Sequence, residues 1–311
     1  MSRPKVVASF LSKDQEFQVM QAADAQVAAA RAGFEIEVLY AEQNAVQQIH
    51  QLFKFIHAPA EDRPLAIVVE TVVGEGLERV ARNAVRAGIG WVLLNRNVSY
   101  LDSLRKEYPH LAIAAVASDQ LAVGRIQGRQ FRILLPKGGN VLYLQGPADT
   151  SVAKERLDGA REATLGGGIE LRVIEGDWTA AGAEKAVANA VRLKTAENLR
   201  PDLVGAQNDA MAVGARDALL ANRPDWAKVP FTGCDGLPEG GQRLVNVRQL
   251  AATVVAPSNA GPAVDLVARW LKTKEPPPAR VVLSPTSYPS EEELRQRAAT
   301  GRIGGGAPPR P

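Results

Sequence analysis

The chain has 311 residues, beyond the length at which a single hydrophobic core usually stops growing, so two domains are expected. Hydrophobic residues at 46%, charged residues at 23% and aromatics at 5% match an ordinary α/β protein and exclude a disordered chain. The 37 basic and 34 acidic residues leave a formal charge of +3, spread along both halves without a basic block, which argues against nucleic acid; one cysteine excludes an internal disulfide and a multi-cysteine metal site.

The start, MSRPKVVASFLSKDQEF, holds only a short apolar run and no small-residue cleavage pattern. Two expectations stay open: a cytoplasmic protein if the chain is complete as given, or a periplasmic mature form whose leader is missing. No apolar run is long enough to cross a bilayer, so no direct membrane insertion is expected. KVVASFL then reads as a buried strand, and a helix is expected from Phe17 to Ala32, ending at Gly33. FEIEVLYA, PLAIVVE, IGWVLLN and LAIAAVASD are further strands, with helices across VQQIHQLFKFI and GLERVARNAVRAG. Alternation of this kind is the signature of a parallel sheet covered on both faces.

The pattern resumes with a helix from Gln120 to Leu135, a PKGG turn and the strand NVLYLQG. Helices across SVAKERLDGAREAT, AGAEKAVANAVRLK and AMAVGARDALLAN alternate with the strands IELRVIEG, DLVGAQN, KVPFTGCDG and QLAATVVA. Two similar α/β halves are thus laid end to end. A last helix, GPAVDLVARWLKT, follows both halves and is free to return to the first; EPPP reads as a surface turn and GRIGGGAPPRP as a flexible end.

Reactive chemistry finds little support. His50, His57 and His110 lack metal spacing, no phosphate loop or dinucleotide fingerprint stands between a strand and a helix, and no GxSxG elbow occurs. Cys234 has no histidine nearby in sequence and reads as a small buried hydrophobe. No metal and no cofactor are expected. Polar residues do gather just beyond strand ends: Asn95 and Arg96 after GWVLL, Asn208 and Asp209 after DLVGAQ, Asp235 after the strand ending at Gly233. Such positions face the crevice where parallel sheets bind ligands, although Asn and Asp also cap helices, and capping is an equal reading for Asp209. An arginine fork beside amide and carboxylate acceptors suits a hydroxyl-rich ligand, with Phe17 and Trp178 available for its apolar faces.

KDQEF, IGWVLLNRN, VASDQLAVGRIQG, GNVLYLQGPADTSVAKERLDGAREA, GDWTAAGAEKA, AQNDAMAVGARDAL, TGCDGLPEGG and QLAATVVAPSNAG follow one another in an order that resembles the type I periplasmic sugar-binding proteins and the sugar-sensing core of lactose-repressor-type proteins. The likeness runs from about residue 5 to 285, and the absence of a helix-turn-helix at the start argues against a repressor. It implies an α/β fold of two lobes joined by three crossovers, the first over 5–118 with 257–280 and the second over 119–256 with 281–300, followed by a flexible tail at 301–311.

The same resemblance implies the ligand residues. Arg96, Arg156, Asn208 and Asp235 match hydrogen-bonding positions, and Phe17 and Trp178 match stacking positions. Gln15 stands where asparagine is frequent, Gln18 replaces a second stacking aromatic, Asn95 replaces an aspartate, and Ala256 replaces a glutamine. Fewer acceptors beside two arginines suit a ligand carrying a carboxylate or phosphate, although the family's neutral sugars meet the same arginines. The implied activity is non-catalytic: a monomer closes its lobes on a sugar or polyol and presents it to an ABC permease, a chemoreceptor or a sensor kinase. A cytoplasmic ligand sensor, a hydrolase using cleft carboxylates and a module that has lost its ligand are the alternatives.

Overall fold

The computed structural model describes residues 3–192, 200–226 and 228–303. In chain order the elements are β1 (Lys5–Phe10), α1 (Glu16–Ala32), β2 (Glu35–Tyr40), α2 (Ala45–Ile56), β3 (Ala66–Val69), α3 (Glu78–Arg86), β4 (Gly90–Leu94), α4 (Leu101–Glu107) and β5 (Ile113–Ser118). Next are α5 (Gln120–Leu134), β6 (Gly139–Gln145), α6 (Ser151–Thr164), β7 (Ile169–Glu175), α7 (Ala180–Arg192), β8 (Leu203–Ala206), α8 (Asp209–Asn222) and β9 (Phe231–Thr232). The last are α9 (Arg243–Asn246), β10 (Thr253–Val255), α10 (Ala260–Thr273), β11 (Arg280–Leu283), β12 (Thr286–Tyr288) and α11 (Glu291–Ala299).

These elements fall into two units, one made of the chain up to Ser118 with Ser258–Leu283, the other of Asp119–Pro257 with the chain from Ser284. The first unit is a six-stranded parallel sheet in the order β11-β5-β4-β3-β1-β2. Its inner strands read as unbroken apolar runs because both faces are covered. Val7, Ile67, Trp91 and Leu93 pack with Leu52, Phe55 and Val80 of α2 and α3, while Val6, Ala8, Val68 and Val92 pack with Ala25, Ala263 and Val264 of α1 and α10. Helix α1 ends at Gly33 in the left-handed region, φ 75°.

The second unit has a four-stranded parallel sheet in the order β7-β6-β8-β9 and a separate antiparallel pair, β10-β12. Its helices start on side-chain caps that the sequence supplies: Asp119 accepts from the amide of Ala122, Thr150 from Ala153 and Asn208 from Met211. In each unit the chain leaves its first strand to one side and returns on the other. The order therefore switches between β1 and β3, and between β6 and β8. Such switch points open a crevice at the carboxyl ends of the strands.

Five elements, α4, α9, β11, β12 and α11, lie where no element is expected from sequence. Helix α4 is only 7 residues long, too short for a clear period. Strand β11 is an edge strand with alternating exposure, and it pairs with β5, so residues 281–283 join the first unit and not the second, where they were expected. β12 and α11 follow it. The expected strand QLAATVVA shortens to Thr253–Val255, because Ala252 makes only an isolated bridge to Thr232. The end of the expected helix at Leu193 and Lys194, and the expected flexible tail from 304 onward, lie outside the described residues. Among the described residues no helix is long and apolar enough to cross a membrane.

Candidate functional site

In the first unit, Gln15, Phe17 and Gln18 lie at the start of α1, just past the carboxyl end of β1, and Asn95 and Arg96 follow β4. Only β3 separates the two strands, so both groups occupy one sheet edge about 10 Å apart in strand spacings. Phe17, Gln18, Asn95 and Arg96 are all buried. Asn95 adopts φ 58°, a left-handed conformation that asparagine tolerates better than most residues. Gln15 is the N-cap residue of α1 but makes no side-chain cap, and its buried Nε2 has no partner among the described residues.

The structure gives Gln18 a different employment from the ligand contact expected of it. Its Oε1 accepts from the amide of Leu11 at 3.1 Å and its Nε2 donates to Glu70 Oε2 at 3.1 Å. A glutamine in place of an aromatic ring here ties the β1–α1 loop to the end of β3.

In the second unit Arg156, Trp178 and Asn208 form one connected set. Arg156, on α6, is 4% exposed; its Nε donates to Gln120 Oε1 at 2.8 Å, its Nη1 donates to the Gln207 carbonyl, and its guanidinium lies 5.8 Å from the Trp178 ring centre. That separation is within cation–π range. Trp178 follows β7 with φ 70°, and its buried Nε1 has no partner among the described residues. The ring rests on Gly146, where a Cβ would come within 2.1 Å of it. Asn208 follows β8 and caps the next helix. Its Oδ1 caps α8 at Met211 N (2.8 Å), and its Nδ2 donates to the Trp178 carbonyl (2.9 Å). One amide hydrogen and one lone pair of Asn208 remain.

Asp235 is held by its backbone. Its N–H donates to Val254 at 3.0 Å, its carbonyl accepts from Ala256 at 3.1 Å, and φ is 106°. The same bridge places Ala256, buried and without a polar group, beside it. Asp209 acts from behind: Oδ1 accepts from Thr253 Oγ1 (2.7 Å) and Oδ2 from Gly236 N (2.8 Å). It fixes the Cys234–Gly236 turn that carries Asp235. Gln120, Gln207 and Glu70 are the residues the sequence reading passed over, although Glu70 obeys the strand-end rule that singled out Asn95.

Cys234 is fully buried, and burial pushes its thiol up to about 12, Arg156 opposing the shift and Asp235 and Asp209 adding to it. Thiolate is the reactive form. Native protein at pH 8 is therefore expected to resist an alkylating reagent at Cys234 and to react fully in denaturant; stoichiometric labelling of native protein, read by mass spectrometry, would contradict this burial.

Each unit thus carries an arginine, an amide and an aromatic ring near the switch point of its own parallel sheet, positions where such sheets bind polar small molecules, and among the described residues no His, Cys, Asp or Glu cluster is built to hold a metal. The chain matches the family model described as periplasmic binding protein domain over residues 6–275, and it belongs to that family, whose members are binding proteins and not enzymes. Galactofuranose-binding protein YtfQ of Escherichia coli (strain K12) is 26% identical over 294 residues, 90% of this chain and 88% of that protein. Ribose import binding protein RbsB of the same organism is 34% identical over 149 residues, 46% of each chain. A crystal structure of a galactofuranose binding protein shares the fold, with a TM-score of 0.80, 24% identity, and coverage of 96% of this chain and 99% of that one.

Proposed function

We propose that the protein is a receptor for a monosaccharide or related polyhydroxylated ligand, which it hands unchanged to a membrane import machinery. The observation that carries this reading is the polar set of the second unit: Arg156 and Asn208 are both tied to Trp178, by a ring contact and a hydrogen bond, Asp235 stands past the neighbouring strand β9, and Trp178 and Asp235 keep a positive φ. Backbone strain retained at a polar strand end is characteristic of ligand sites. The first unit adds Gln15, Phe17, Asn95 and Arg96, with Gln18 in support. Relatives named as galactofuranose-binding and ribose import binding proteins favour a sugar, and the word import favours delivery to an ABC-type permease.

A thermal-shift screen of the purified protein against pentoses, hexoses, polyols, inositols and sugar acids tests this. Saturable stabilisation by one stereoisomer, recovered chemically intact, is the expected result, since a ligand bound only by the native state raises the melting temperature. No shift with any member would defeat the sugar reading, and conversion of a hit to product would defeat the receptor reading. Singly replacing Arg96 and Arg156 by alanine extends the test: a replacement that weakens the hit assigns that arginine to the ligand, and one that leaves its affinity unchanged in a folded protein removes it.

A further inference from the structure

The first unit holds a carboxylate outside the candidate set. Glu70 directly follows β3, at the strand end that flanks the switch between β1 and β3, and is 3% exposed. Its Oε2 accepts from Nε2 of Gln18 at 3.1 Å and from Nε2 of Gln21 at 3.0 Å. Both amides are fixed from behind, Gln18 by the Leu11 amide at 3.1 Å and Gln21 by the Asn259 amide at 3.1 Å. One oxygen of Glu70 is thus pinned, and its Oε1 takes no donor from the described residues. Among the described residues no lysine, arginine or histidine pairs with this carboxylate. The fully buried side-chain amide of Asn259, whose backbone holds Gln21, has no partner at either atom.

A buried carboxylate is stabilised by hydrogen bonds to its charged form, and two neutral amides on one oxygen leave half of its acceptor capacity unused. A sugar hydroxyl donating to Oε1 supplies what is missing. A second anion brought to the same strand end meets a like charge in a poorly screened site, which is strongly unfavourable. We propose that Glu70 is a specificity-determining, ligand-facing acceptor that restricts the ligand to neutral polyhydroxylated molecules, excluding sugar acids and sugar phosphates. This rests on the sugar-binding reading above.

Titration calorimetry with D-ribose, L-arabinose, D-galactose and D-fructose, each beside its available acid or phosphate ester, is the test. Wild-type protein is expected to bind at least one neutral sugar ten or more times more tightly than the matching anion. Glu70→Gln should weaken the neutral sugar by about tenfold, on the order of a lost charged hydrogen bond, and bring the two affinities together. Glu70→Asp, which keeps the charge, should keep the neutral preference. A wild-type protein that binds the anion as well as the neutral sugar overturns the inference, even if Glu70→Gln fails to fold, while leaving the sugar reading intact. Equal weakening of both ligands by Glu70→Gln assigns the residue to structure alone and overturns it too. Binding by no member of the panel removes the sugar reading and this inference together.

Discussion

Asp235→Ala is expected to cost at least about 2 kcal/mol of ligand affinity, roughly a 30-fold rise in Kd, while leaving the fold intact. The half-buried carboxylate is the charged acceptor of its set, and its own backbone bonds to Val254 and Ala256 do not depend on the side chain. Asp235→Gly separates the two contributions of this residue. A non-glycine residue at φ 106° stores about 1–3 kcal/mol of strain, and glycine removes it at an entropic cost of about 0.5–1 kcal/mol. The ligand-free glycine variant should therefore be more stable than the parent by about 1 kcal/mol in urea unfolding, yet bind as poorly as the alanine variant. A glycine variant that titrates like the parent removes Asp235 from the site. One that is less stable and binds weakly makes the residue a structural one.

Much of this architecture is legible in the sequence, because parallel strands buried on both faces appear as apolar runs such as PLAIVVE and IGWVLLN, and capped helices announce their starts. Polar residues at the ends of those runs are also legible, which is how Asn95, Asn208 and Asp235 stand out. Sequence carries less about what each side chain spends its hydrogen bonds on. Gln18 looks like a substituted stacking position, yet its partners are Leu11 and Glu70, 7 and 52 residues away in sequence. Asp209 looks like one more helix cap, yet it braces Gly236 and Thr253 across 27 and 44 residues. Glu70 reads as the last letter of an apolar strand, and only the switch between β1 and β3 distinguishes it from an ordinary loop acid. Edge elements such as β11 and the short α4 fail for the opposite reason: half-exposed or brief segments bury too little to impose a period on the sequence.

Gly159→Ala is expected to destabilise the second unit by about 2–3 kcal/mol, against the gain of about 1 kcal/mol that alanine ordinarily brings to a helix. Helices α5 and α6 meet backbone to backbone here. A Cβ at Gly159 falls 2.1 Å from the Leu121 carbonyl oxygen, and one at Gly124 falls 2.0 Å from that of Arg156. A clash with main-chain atoms is not relieved by a rotamer change, so the helices must part. Parting them separates Arg156 on α6 from Gln120 on α5, a contact now 2.8 Å long, and the arginine loses the bond that aims it. Affinity for the ligand should fall together with the urea midpoint, although neither glycine has a side chain to offer a ligand. Gly167→Ala is the control, because a Cβ there meets the flexible Arg132 side chain at 3.2 Å and the Thr164 carbonyl at 3.3 Å, contacts a small shift can absorb. Parental midpoint and affinity in Gly159→Ala would mean that the two helices do not meet at these glycines, and the positioning of Arg156 would need another cause.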